Sequence, residues 1–276
     1  MKIAFACPSY GPVEPVAIAS QRAAIMTAWT HGIQVRSDIF VDRVAWEGSR
    51  NIIVKAFLLL DKSFDGIFWC DADSVLPQNA IVDLAGPNQD VVTGIYYGRH
   101  PPYEPKIFMY KEATDSYFHI VSWPKTTSLF PIDAAGFGAI YTSRKVLEAT
   151  TQTQTVPKFT DWKTGDIKQE EETFWFKFGR YSEDLSWCHQ AKAKGFQVWC
   201  NPNVMVGHLG EVQIIGAKER EEFVDKNPES IGVQFKADEP QSLYTIEGKR
   251  KTDEPERTPE HHTLVLSEDM RVKSSA

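Results

Sequence analysis

The chain has 276 residues, with 30 Lys and Arg against 37 Asp and Glu, and a formal net charge of −7. At 42% hydrophobic, 12% aromatic and 24% charged it has the composition of a globular protein with ample chain to bury a core. That balance excludes broad polyanion binding by the whole surface, though not a local basic groove.

No run approaches the ~18 apolar residues of a membrane span. The opening MKIAFACPSYGP reads as a short strand, Lys2 to Cys7, stopped by Pro8, too quickly polar for a signal peptide. Val16 to His31 has helical spacing, with Gly32 as its stop. Gln34 to Val41 reads as a strand. A helix from about Ser49 carries Ile52, Ile53, Ala56, Phe57 and Leu60 on one stripe. Gly66 to Cys70 is a continuous apolar run, as expected of a strand buried on both faces, and it ends abruptly at Asp71-Ala72-Asp73. A short helix over Asn79–Leu84 and a strand over Asp90–Tyr97 follow. Pro105–Tyr110, Tyr117–Ser122 and Pro131–Tyr141 read as further strands, and Ser143–Thr150 as a helix.

Residues 151–180 lack periodicity and mix Thr, Lys and Glu with bulky aromatics (Trp162, Phe174, Trp175, Phe176), the pattern of a functional loop or lid. Ser182–Lys194 reads as a helix with Gly195 at its C′ position, Phe196–Cys200 as a strand, and Val204–Gly207 leads into His208. Beyond about Ile215 the chain changes character. A charged helix over Ala217–Lys226 precedes a Pro- and charge-rich stretch, with His261–Leu266 as a final strand. The alternation of strands and helices predicts an α/β sandwich with a mixed, mostly parallel central sheet over residues 1–215. Residues 216–276 are then an extension packed on that domain. Cys7, Cys70, Cys188 and Cys200 form no CxxC pair and read as reduced, buried thiols of a cytoplasmic protein.

Asp71 and Asp73 are the most informative residues. Two carboxylates at i and i+2, just past the carboxyl end of a buried strand, sit where open α/β sheets bind ligands. They offer a hard divalent cation one or two oxygens and leave its remaining positions to phosphate and water. The other reading is a pair of solvated aspartates in a turn. Ser182-Glu183-Asp184 opens a helix, where the dipole alone favours acids and where a carboxylate stays ionised, as a general base must. His208, between two glycines at the end of an apolar run, is either a packed histidine or an added ligand for Mn²⁺. Arg50-Asn51 and Arg99-His100 offer groups for phosphate or acceptor, with surface ion pairing as the alternative. Gly136-Phe137-Gly138 lacks the third glycine of a dinucleotide fingerprint and reads as a bulge or close-approach position. The sequence has no Walker A loop, HExxH, GxSxG or EF-hand loop.

In order, these motifs are Pro-Ser-Tyr-Gly, Arg-Asn, an apolar strand into Asp-Ala-Asp, Gly-Phe-Gly-Ala, Ser-Glu-Asp-Leu, and Gly-Phe-Gln-Val before His208. The set resembles the GT-A nucleotide-sugar glycosyltransferases, in particular small, stand-alone, family-2-like enzymes of bacteriophage type. The resemblance covers roughly residues 1–215 and implies a GT-A type, Rossmann-like α/β/α sandwich. It implies that Pro8, Tyr10 and Arg50 face the nucleotide, and that Asp71 and Asp73 hold the ribose–metal–diphosphate unit. His208 would complete an Mn²⁺ or Mg²⁺ site, with Gly136 and Phe137 lining the sugar pocket beside Ala135. Asp184 would be the base of an inverting transfer, with Glu183 positioning it or the acceptor and the aromatics of 151–180 as a lid. A UDP-sugar, UDP-glucose foremost, is the implied donor. The implied acceptor is either a hydroxymethylated DNA base, in a host cytoplasm, or a saccharide, lipid-linked or protein hydroxyl. For DNA, Lys and Arg at 144–145, 163, 168, 177, 180, 192 and 194 offer a basic groove. A metal-dependent hydrolase or nucleotidyltransferase, and a non-catalytic nucleotide-sugar-binding protein, are the alternatives.

Overall fold

The structure is a computed structural model that describes residues 1–42, 44–125, 128–160, 167–210 and 214–228. Two units are distinguished, Met1–Gln241 and Ser242–Ala276, and all described residues belong to the first. The strand expected at His261–Leu266 lies outside them.

The strands are β1 (Lys2–Ser9), β2 (Gln34–Asp42), β3 (Gly66–Cys70), β4 (Ser74–Val75), β5 (Val91–Ile95), β6 (Ile107–Lys111), β7 (Ser116–His119), β8 (Phe130–Ile132), β9 (Ala134–Ala135), β10 (Ala139–Ser143), β11 (Gln152–Thr160), β12 (Ile167–Phe174), β13 (Val198–Met205), β14 (Gly207–Leu209) and β15 (Ile214–Ile215). The helices are α1 (Pro15–Thr30), α2 (Trp46–Leu59), α3 (Ala80–Ala85), α4 (Arg144–Ala149), α5 (Glu183–Ala193) and α6 (Ala217–Lys226). Seven strands form the central sheet in the order β2-β1-β3-β10-β5-β13-β8. The pairs β1–β2, β1–β3 and β5–β13 are parallel, whereas β10 runs against both its neighbours and β8 runs against β13. Five of the seven strands therefore point one way, giving the mixed, mostly parallel sheet expected.

The period-2 alternation of a strand sends successive side chains to opposite faces. Ile3, Phe5 and Cys7 of β1, with Phe68 and Cys70 of β3, pack under α1 and α3. Ala4, Ala6, Ile67 and Trp69 face α2, α4 and α5 on the other side. The result is a three-layer α/β/α sandwich. Trp69, Phe137, Phe176 and Trp187, all nearly inaccessible, form the centre of the second face through edge-to-face contacts at 5.1–5.6 Å and one stacked pair at 5.7 Å. Burying each such side chain contributes roughly 1.5–3 kcal/mol or more. Gly32 and Gly195, with φ of +78° and +87°, end α1 and α5 in a conformation glycine adopts without strain.

Two expectations are corrected. The stretch 151–180 is not an unstructured lid. Gln152–Thr160 and Ile167–Phe174 pair as an antiparallel hairpin, built on β-branched Thr153, Thr155, Val156 and Thr173. The hairpin shows no apolar period because it buries almost nothing. Trp175 and Phe176, expected over a ligand, are in the core, while Trp162 lies outside the described residues. Pro131–Tyr141 is likewise not one strand. Asp133 and Gly136–Gly138 break it into β8, β9 and β10, which belong to two different sheets.

Candidate functional site

The parallel strands deliver the sequence motifs to one edge of the sheet. The carboxyl ends of β1, β3, β5 and β13 lead into Ser9, Asp71, Tyr96-Tyr97 and Val206–His208. Antiparallel β10 starts at the same edge after Gly136-Phe137-Gly138. The N-terminus of α5, with Glu183 and Asp184, faces this edge through the groups below.

A small sheet, β15-β14-β4, carries His208 to the acidic motif. His208 pairs with Ser74, and the Leu209 amide donates to the Asp73 carbonyl at 2.9 Å. The imidazole Nε2 then lies 3.3 Å from Asp73 Oδ2. Nδ1 is 2.6 Å from the Tyr97 carbonyl oxygen, and only a protonated Nδ1 can bond there. With Nδ1–H held by that carbonyl, Nε2 of the protonated ring donates to Asp73, while Nε2 of the neutral ring carries the lone pair a cation would take, the arrangement by which a second partner orients a ligating histidine. Arg99 Nη1 reaches the same Asp73 oxygen at 3.2 Å. Burial raises the Asp73 pKa, but the hydrogen bond and charge of His208, with Arg99, outweigh it and hold the group below the ordinary carboxylate value.

Asp71 has different company. Arg50, its side chain only 5% exposed, places Nη2 3.5 Å from Asp71 Oδ1 and Nε 3.3 Å from Glu183 Oε1. Its Nη1 is buried with no hydrogen-bond partner, and the guanidinium lies 5.0 Å from the centre of the Phe137 ring. Burial lowers the Arg50 pKa, yet Asp71, Glu183 and Asp184 together raise it above its usual value. Burial raises the pKa of Asp71 and Glu183, with Arg50 opposing in both. Asn51, next to Arg50, clamps the chain behind the site: its Oδ1 accepts from the Trp175 and Phe176 amides and its Nδ2 donates to the Phe176 carbonyl.

Asp184 is half-buried and accepts from the Ser182 hydroxyl and, at 2.8 Å, from the Leu185 amide, both on Oδ1. Among the described residues no three His, Cys, Asp or Glu side chains converge as a metal-binding group.

Arg50, Asp71, Glu183 and Asp184 are thus brought together, with Asp73 and His208 as a second pair beside Asp71. Pro8 is buried at the end of β1, whereas Tyr10 is 74% exposed. Phe137, expected along the sugar pocket, is fully buried under Arg50 and backs the site. Gly136, just before it, is set by a close approach. A Cβ there would fall 2.0 Å from the Tyr96 hydroxyl, and at Gly138 2.9 Å from the Tyr96 ring. Tyr96 is the residue the sequence reading missed. Its ring meets His208 edge-on at 5.5 Å. Burial and the charges of Asp71 and Asp184 raise its pKa well above the usual phenol value, which keeps the hydroxyl protonated.

The cations expected to form a basic groove are largely committed. Arg144 donates to the carbonyls of Phe64 and Asp61. Lys145 pairs with Asp90, Arg180 with Asp115 and Lys192 with Asp133, and Lys163 lies outside the described residues.

No protein-family model and no curated protein matches the sequence. Among solved structures, the chain is similar to A197 from STIV, at 16% identity over 79% of this chain and 92% of that one, with a TM-score of 0.48. It is similar to the catalytic domain of Drosophila beta1,4galactosyltransferase 7 in complex with xylobiose, at 12% identity over 73% and 65% of the two chains, TM-score 0.40. A third similarity is to a glycosyltransferase involved in the glycosylation of the major capsid of PBCV-1, at 12% identity over 53% and 62%, TM-score 0.27. At these scores and identities the likeness carries no functional argument, and any reading of function stands on the geometry of the site.

Proposed function

We propose that the chain is a glycosyltransferase that moves a sugar from a nucleoside-diphosphate donor, a UDP-sugar, to an acceptor hydroxyl with inversion at the anomeric carbon. The observation that carries this reading is the pairing of Asp73 with a tautomer-fixed His208 at the strand ends, on the same edge as a helix-terminal carboxylate, Asp184. One carboxylate and one imidazole are a donor set that fits Mn²⁺ or Mg²⁺ while leaving most of its positions for phosphate oxygens and water. Asp73 and His208 would hold the ion. When bound, it supplies charge neutralisation at the departing diphosphate.

The rest of the mechanism belongs to the chain's own residues. Asp184 has both its described hydrogen bonds on Oδ1, so Oδ2 takes the acceptor proton as the acceptor oxygen bonds the anomeric carbon. The bond from that carbon to the diphosphate oxygen breaks, and its electron pair leaves with the diphosphate. Arg50 holds Glu183 and Asp71 in place, so the base end and the diphosphate end of the site keep a fixed separation. Tyr10, exposed beyond β1, is free to lie against the nucleotide.

Calorimetry of UDP and UDP-glucose with and without Mn²⁺ tests this. We expect Mn²⁺ to strengthen binding at least tenfold in the wild type and to have no effect in Asp73→Ala. The wild type should release nucleoside diphosphate, and Asp184→Asn should bind the donor normally and lose that turnover. Release of monophosphate or pyrophosphate would instead identify a hydrolase or nucleotidyltransferase. Absence of binding for every nucleotide diphosphate would end the proposal.

A further inference from the structure

One group of side chains near the site has no part in the mechanism above. The Asp115 carboxylate accepts from the Tyr110 hydroxyl at 2.7 Å and from the Tyr181 hydroxyl, and pairs with Arg180 at 2.9 Å. The Tyr117 ring stands edge-on to Tyr181 at 5.0 Å and tilted against Tyr110 at 5.1 Å. Its hydroxyl lies 3.1 Å from Nδ1 of exposed His189. These residues come from three places: the β6–β7 hairpin, the two residues before Ser182, and α5. Tyr181 is three residues from Asp184, which limits the distance between their Cα atoms to about 11 Å.

The tyrosines are only half-buried. A network that only fixed the hairpin to α5 would work best sealed from water, whereas these rings stay half-exposed and His189 is exposed. Rings with a polar tip suit a ligand that is itself two-faced, apolar on its C–H face and rich in hydroxyls at its edge. A pyranose is such a ligand, and a carboxylate, an acceptor only, accepts hydrogen bonds from its hydroxyls. Charge decides against a nucleic acid. Stacking on aromatics binds polynucleotides when free cations track the phosphates. Here Arg180 is tied to Asp115 and Lys192 to Asp133.

We propose that Tyr110, Tyr117, Tyr181 and His189, with Asp115, form a subsite for a neutral saccharide, which presents its terminal hydroxyl to Asp184. The assignment rests on the glycosyl-transfer reading and names its acceptor as carbohydrate.

The test uses the full chain on an array of neutral oligosaccharides, followed by calorimetry with the strongest glycan. Binding should not require a nucleotide. Tyr181→Ala and His189→Ala should each weaken it at least tenfold at unchanged melting temperature, and Tyr181→Phe, which keeps the ring, should weaken it less than Tyr181→Ala. The subsite is wrong if no neutral glycan binds, if both alanine variants bind like the wild type, or if a duplex bearing 5-hydroxymethylcytosine binds instead with steep salt dependence. UDP binding, measured in parallel, separates the two claims. Glycan binding without nucleotide binding would sink the transfer reading alone, and nucleotide binding without glycan binding would sink the subsite alone.

Discussion

Arg50 is the residue on which most of the site turns. A guanidinium this deeply buried is held only because two carboxylates face it. Removing it leaves Glu183 buried and uncompensated, which typically costs about 3–5 kcal/mol. We therefore expect Arg50→Met to lower unfolding free energy by about that amount in urea titrations, and Arg50→Met/Glu183→Gln to recover much of it. Equal losses in the single and double variants would show that the pair is not coupled. Gly136 is constrained sterically, since any Cβ meets the Tyr96 hydroxyl. Gly136→Ala should destabilise by about 1–3 kcal/mol through forced displacement of that ring. The sequence singles out Asp71, Asp73 and His208 because each stands where an apolar run ends, and Asp184 because Ser182-Glu183-Asp184 opens a helix. Tyr96 was not readable. Its role comes from contact with residues 40 positions away, and nothing in Gly94-Ile95-Tyr96-Tyr97-Gly98 distinguishes one tyrosine from the other.

Among the elements, β3 was legible to the residue, because Gly66 and Asp71 bound a run that no helix of five residues could explain. β4, β14 and β15 were not, since strands of two or three residues exist only through their pairing partners. The β11–β12 hairpin escaped for a related reason, as its alternation is of Thr and Gln against Glu, without an apolar face. The junction of α2 and β3 gives a pH signature. Asp61, just past α2, is drawn down to about 2, first by the Ser63 hydroxyl and then by Lys2, whose Nζ is 3.0 Å away at the start of β1. A carboxylate with a depressed folded-state pKa adds stability above its unfolded value, and that stability is lost as pH falls through the folded one. Unfolding monitored across pH 4 to 2 should show this loss in the wild type and a shallower dependence in Asp61→Asn. Parallel curves would count against the contact.

Across the whole molecule, burial governs the chemistry of the thiols. All four cysteines are free and buried. Exclusion from water raises Cys7 and Cys188 to about 12, and raises Cys70 and Cys200 well above the usual thiol value. The thiolate is the reactive form, so a thiol reagent such as DTNB should label no cysteine at neutral pH in native protein and four in denaturant. Rapid labelling of even one in the native state would contradict the packing. The sheet order has a different consequence, one of timing. The central strand β3 lies between β1 and β10, and Trp69 finds its partner Ile140 only after a further 71 residues. At roughly 5–20 residues per second, a nascent chain holds the open edge of Gly-Ile-Phe-Trp-Cys for roughly 4–15 s before β10 exists to cover it. A chain ending at residue 138 keeps that edge permanently, and such an apolar, unpaired strand is a template for intermolecular pairing. Fragments cut before β10 should accumulate as aggregates, whereas those that include β10 and β13 should remain in solution.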